Sequence, residues 1–106
     1  MSEIHEASMN FDIENVEPFL RRVAQLIDGF GSNEVASVMS DIRKMNVDDE
    51  NDWMFAVTYD ERSIPLVLRV FMGDIDAPDL YFFTTSAELA SRLQDEMGIF
   101  AEEQGK

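Results

Sequence analysis

Residues 64–72, Ile-Pro-Leu-Val-Leu-Arg-Val-Phe-Met, constrain the fold of this chain more than any other stretch. Written as a strand, the segment is apolar on both faces apart from Pro65 and Arg69. Only a strand inside a sheet buries both faces, so the pattern predicts a central strand covered on both sides. The residues just before it alternate with a period of two. Trp53, Phe55, Val57 and Tyr59 would line one face of a strand, with Met54, Ala56 and Thr58 on the other. Residues 60–63 form a short polar connection between these two strands. Residues 73–79 form a loop containing Pro78, and residues 80–84 form a third strand.

The flanks of this meander read as helical. Val16, Leu20, Val23, Ile27 and Phe30 recur at spacings of three and four, which predicts a helix ending at Gly29 and Gly31. Asp12 or Asn15 is suited to its N-cap and Pro18 to its first turn. Residues 34–45 place Val35, Val38, Met39, Ile42 and Met45 on a helical stripe, while Ala36, Val38, Ser40 and Ile42 alternate as in a strand. Both readings stay open from sequence. Thr85 with Glu88 is a capping-box spacing, and Ala90, Leu93, Met97 and Phe100 then mark a C-terminal stripe. The first dozen residues suggest a loose arm or an edge strand, and residues 102–106 a frayed tail. The expectation is one small α+β domain over residues 1–106. It has an antiparallel meander of three strands, or four, with an N-terminal helix or helix pair and a C-terminal helix packed on one face.

Composition narrows function mostly by exclusion. Asp and Glu number 22 against 8 Lys and Arg, a formal net charge of -14. Such a surface disfavours direct binding to nucleic acid or to anionic lipid, and it favours a basic protein partner. It also keeps a small protein soluble without any ligand. The absence of cysteine removes thiol chemistry, thiolate zinc and iron–sulfur clusters, and it fits a cytoplasmic setting. The first residues lack a basic and apolar leader pattern, and no apolar run approaches the roughly 20 residues a membrane span needs.

Catalytic and metal motifs fail one by one. His5 is the lone histidine, too few for a multi-histidine metal site and without partners at motif spacing. A calcium loop starting at Asp48 puts Trp53 where glycine is required and Tyr59 where glutamate is required. One starting at Asp74 puts Asp79 and Thr85 there. No glycine-rich phosphate loop or nucleophile elbow is present. The expectation is a protein without catalytic activity, cofactor or resident metal.

Two surfaces emerge as candidates. In a meander, the start of the first strand and the end of the second lie together, which gathers Asp48, Asp49, Glu50 and Asp52 near Asp74, Asp76 and Asp79. Neither segment holds a Lys or Arg, so repulsion there would favour a cationic partner. Trp53 beside this cluster is a candidate anchor, or else a half-buried core residue. The second surface is the sheet face turned away from the helices, which would show Val67 and Phe71. A second copy of the chain related by a two-fold axis would close that face most simply. Three functional classes follow: an acidic interaction domain of inhibitor, immunity or chaperone type that binds a basic protein surface; a homodimeric accessory domain whose charge serves solubility; and a carboxylate-based, divalent-metal-dependent enzyme.

Overall fold

The computed structural model describes residues 3–105 of the chain. In chain order the elements are β1 (His5–Asn10), α1 (Ile13–Ala24), α2 (Ser32–Ile42), β2 (Glu50–Tyr59), β3 (Arg62–Phe71), β4 (Asp79–Thr84) and α3 (Ala87–Gln104). One antiparallel sheet runs in the order β1-β4-β3-β2, with helices packed against it, an α+β fold. The fourth strand is β1, the edge-strand alternative for the N-terminal segment, and it pairs with β4 from His5↔Thr84 to Asn10↔Asp79. Residues 34–45 contribute a helix rather than a strand, although it ends at Ile42 and Met45 lies beyond it. Their apolar stripe of Val35, Val38, Met39 and Ile42 is buried as the helical reading requires.

The meander follows from alternation and turn length. Tyr59 pairs with Arg62 across a two-residue turn, Asp60-Glu61, and that turn sets the register of the whole hairpin from Thr58↔Ser63 to Glu50↔Phe71. Ile64, Leu66, Leu68 and Val70 of β3 then point to the helices, in step with Leu80 and Phe82 of β4 and Ala7 of β1. From the helices come Val16, Phe19, Leu20 and Val23 of α1, Val35 and Val38 of α2, and Leu89, Leu93 and Met97 of α3. Phe19 sits where the layers meet, with ring centroids 4.8 Å from Phe11, 5.5 Å from Phe100 and 6.5 Å from Phe82. Burying a side chain of this size contributes about 2–3 kcal/mol.

Four expectations about the helices need correction. First, α1 ends at Ala24, not at Gly29. Asp28 instead exchanges backbone hydrogen bonds with Thr58 at 2.9 and 3.1 Å, closing part of the β2 edge, so Ile27 and Phe30 reach the core from a bridge rather than from a helix. Pro18 accordingly lies inside α1, past its first turn, although Asp12 does occupy the N-cap position. Second, Gly31 begins α2 instead of ending α1, and the Glu34 carboxylate accepts its N–H at 2.7 Å. Third, the N-cap of α3 is Ser86, not Thr85; its Oγ accepts the Leu89 N–H at 3.1 Å. Fourth, α3 continues through residues 102–104 instead of fraying. Arg22 of α1 holds that end with bonds of 2.8 and 3.3 Å to Glu103, while its Nε donates to the nearly buried Glu96 at 2.8 Å. Hydrogen bonds to Glu103 first, then to Glu96, raise the Arg22 pKa. Residue 106 lies outside the described residues.

Candidate binding surface

All three helices are packed on one side of the sheet, so the expected cover on both sides of β3 is present on one side only. Every second residue of each strand is left on an open face, and the register arranges these residues in three rows that cross the sheet. The first is Glu6–Phe83–Val67–Met54, the second Ser8–Tyr81–Arg69–Asp52, and the third Asn10–Asp79–Phe71–Glu50. Ile4 continues the first row's apolar character at the β1 side. Ile4 and Met54 are 71% and 77% exposed, far beyond the usual state of such side chains in a closed fold. Val67 and Phe71 both stand on this open face, as their position in β3 predicts.

The middle row carries an ion pair. The Arg69 guanidinium donates to both Asp52 oxygens, at 2.8 and 3.0 Å, and lies 5.2 Å from the Phe83 ring centroid. Hydrogen bonds from Arg69 hold the Asp52 carboxyl below its ordinary pKa, and the same bonds raise that of Arg69. Tyr81 and Phe83 stack with their planes 6° apart. Two shallow grooves meet at Arg69 and Phe83. One of about 530 Å³ is lined by Ile4, Met54 and Val67, and one of about 490 Å³ by Glu6, Glu50, Phe71 and Tyr81.

The third row runs into the acidic end. Asp48 donates its N–H to the Met72 carbonyl at 2.7 Å, and Met72 donates back to the Asp49 carbonyl at 2.8 Å. Residues 48–52 are therefore stitched to the start of the 73–79 loop, which brings the two acidic segments to one end of the sheet. Their charge is less bare than the segments alone suggest, because Arg69 reaches Asp52 from β3. Three of the other carboxylates accept local donors: Asp49 from the Asn46 N–H, Asp74 from the Asp76 N–H, and Asp79 from the Asn10 amide.

Trp53 faces the opposite way. It is one of the helix-facing residues of β2, is partly buried against the core, and donates its indole N–H to Asp41 of α2 at 2.9 Å. That geometry matches the core alternative and directs the Trp53 indole to α2, while Trp53 also borders the open-face groove between Asp52 and Met54. His5 lies in β1 opposite Thr84. Among the described residues, no group of three or more His, Asp or Glu converges in a way that could hold a metal ion, and no helix is long and apolar enough to cross a membrane.

The open-face residues missed by the sequence reading are Ile4, Met54, Arg69, Tyr81 and Phe83. Alternation along β2 and β4 assigns Met54, Tyr81 and Phe83 to one side, but only the placement of all three helices on the other side leaves Met54 exposed and Tyr81 and Phe83 half-buried. Comparison with protein families, curated proteins and solved structures found no match.

Proposed function

We propose that this chain is a non-catalytic protein-interaction domain that engages a basic protein surface, in the manner of an inhibitor, an immunity protein or a chaperone. The observation that carries this reading is the continuity between the open sheet face and the acidic end, since Glu50 and Asp79 belong to both. Five of the arginines, at positions 21, 22, 43, 69 and 92, are already ion-paired within the chain. The carboxylate surplus is thus left to attract a cationic partner over a distance of about a Debye length, and to set its approach. The lack of cysteine suits a reducing, cytoplasmic setting for such an encounter.

The test is a pull-down from native lysate, with wild type and a variant carrying Asp48→Asn, Asp49→Asn, Asp74→Asn and Asp76→Asn as baits. The expected result is a basic protein retained by wild type at low salt, released at high salt, and weakened by the variant. A bait that recovers only its own copies at either salt would instead favour the homodimeric accessory domain. The exposed Ile4 and Met54 are the observation behind that second reading.

A further inference from the structure

The three rows of the open face change character along the strands: the first is apolar at Phe83, Val67 and Met54 with Glu6 at its β1 end, the second holds the Asp52–Arg69 pair, and the third sets Asp79 and Glu50 on either side of Phe71. The first and third rows are four residues apart in every strand, about 13 Å at the usual strand rise. We propose that this face docks an amphipathic helix of the partner protein, with apolar side chains over Met54, Val67 and Phe83 and lysines or arginines over Glu50 and Asp79. This inference rests on the reading of the chain as an interaction domain for a basic partner, and it names the face and the chemistry.

Charge decides between the occupants. The rows carry four carboxylates, Glu6, Asp79, Glu50 and Asp52, against the single guanidinium of Arg69, which Asp52 already neutralises. A second copy would bring the same surplus of carboxylates against this one, in a region with little water to screen it. A cationic segment meets the opposite sign. Each strand edge is interrupted at one position, which shortens the stretch open to the other common mode, addition of an extended peptide to the sheet. Gln94 occupies the Ser8 backbone on the β1 edge, and Asp28 occupies Thr58 on the β2 edge. A helix satisfies its own backbone and can lie on an apolar sheet face without using those edges. At about 1.5 Å per residue and 3.6 residues per turn, groups about seven or eight residues apart share one stripe about 11–12 Å apart, close to the 13 Å between the rows. Met54 is suited to such a site, because an unbranched thioether adapts to varied partners.

The probe is a synthetic alanine-based helical peptide of about 16 residues, long enough for four turns. It carries leucines on one stripe of its first half and lysines on the same stripe of its second half. Titrated into isotope-labelled protein, it should shift the amide resonances of residues 54, 67, 69 and 83 most strongly. Met54→Ser with Val67→Ser should weaken binding at least tenfold, and the circular dichroism spectrum of that variant verifies that it remains folded. Shifts confined to residues 48–52 and 74–79, or undiminished binding by the serine variant, would overturn the face assignment while leaving the acidic interaction domain standing. Equal binding of a peptide with glutamate in place of lysine would overturn the basic-partner reading itself. A native mass of two chains that reverts to one in the serine variant would assign the face to a second copy and overturn the proposal.

Discussion

The side-chain amide of Gln94 in α3 clasps the backbone of Ser8 in β1. Its Oε1 accepts the Ser8 N–H at 3.1 Å, and its Nε2 donates to the Ser8 carbonyl at 3.2 Å. A primary amide offers the same donor and acceptor as a neighbouring strand would, so one side chain stands in for a missing fifth strand at this point. An unguarded edge is a template for pairing with another chain.

Gln94→Ala should therefore do two things. Losing the clasp should cost about 1 kcal/mol of stability, the usual net worth of partly exposed hydrogen bonds. It should also produce self-association that grows with concentration, read by sedimentation velocity. A variant that stays monomeric at every concentration would show that the clasp contributes to stability only.

The β2–β3 turn carries measurable strain. Asp60 and Glu61 have φ of 52° and 64°, both in the left-handed region. Turns of this kind suit the right-handed twist of a hairpin but favour asparagine and glycine, because a Cβ there crowds the backbone. Glu61→Gly should raise stability by about 1 kcal/mol, which for a domain of this size is a rise of about 4 °C or more in melting temperature. An unchanged or lower midpoint would mean that the greater freedom of glycine in the unfolded chain cancels the relief.

Much of this fold is legible along the chain, and the losses have identifiable causes. The strands show because their period is short and local: Trp53 to Tyr59 alternate whatever surrounds them. The two-residue turn at Asp60-Glu61 even fixes that Asp52 will oppose Arg69, a pairing that becomes visible once Tyr59 is set against Arg62. The end of α1 is not local. Ile27 and Phe30 continue the helical spacing, and only the tertiary bridge between Asp28 and Thr58 draws them out of the helix. Thr85 and Ser86 are adjacent hydroxyls, and spacing to Glu88 favours the one that does not cap. The open face was half legible. The position of Val67 and Phe71 follows from alternation, but the exposure of Ile4 and Met54 depends on three helices choosing the same side.

The bridge also explains why residue 29 is a glycine. Its φ is 93°, and a Cβ built there would lie 2.5 Å from the Ala56 carbonyl oxygen and 3.2 Å from the Val57 Cα. Both obstacles are backbone in β2, which cannot swing aside. Gly29→Ala should destabilise the protein by about 2 kcal/mol or more, combining left-handed strain with displacement of the bridge. Amide exchange should report where: protection at Thr58 and Asp28 should fall before that of Leu66 and Leu68 in the centre of the sheet. Uniform loss across all strands would show that the bridge and the sheet unfold as one unit.

Acid should separate the specific charge pair from the general excess of carboxylates. Arg69 lowers the Asp52 pKa in the folded state, so at low pH the unfolded chain takes up that proton first. Stability from the pair is present above the unfolded aspartate pKa of about 4, and it is lost as pH falls through the lower folded value. Relief of repulsion among the remaining carboxylates acts in the opposite direction over the same range, so the melting temperature of wild type alone mixes the two. The difference between wild type and Asp52→Asn isolates the pair. It should be steady from neutral pH down to about pH 5 and vanish once Asp52 is protonated in the folded protein. Added salt at pH 7 should shrink the same difference, because both partners are partly exposed. A difference that persists undiminished in strong acid would mean that the asparagine disturbs the packing of Arg69 over Phe83, and that the charge of Asp52 contributes nothing.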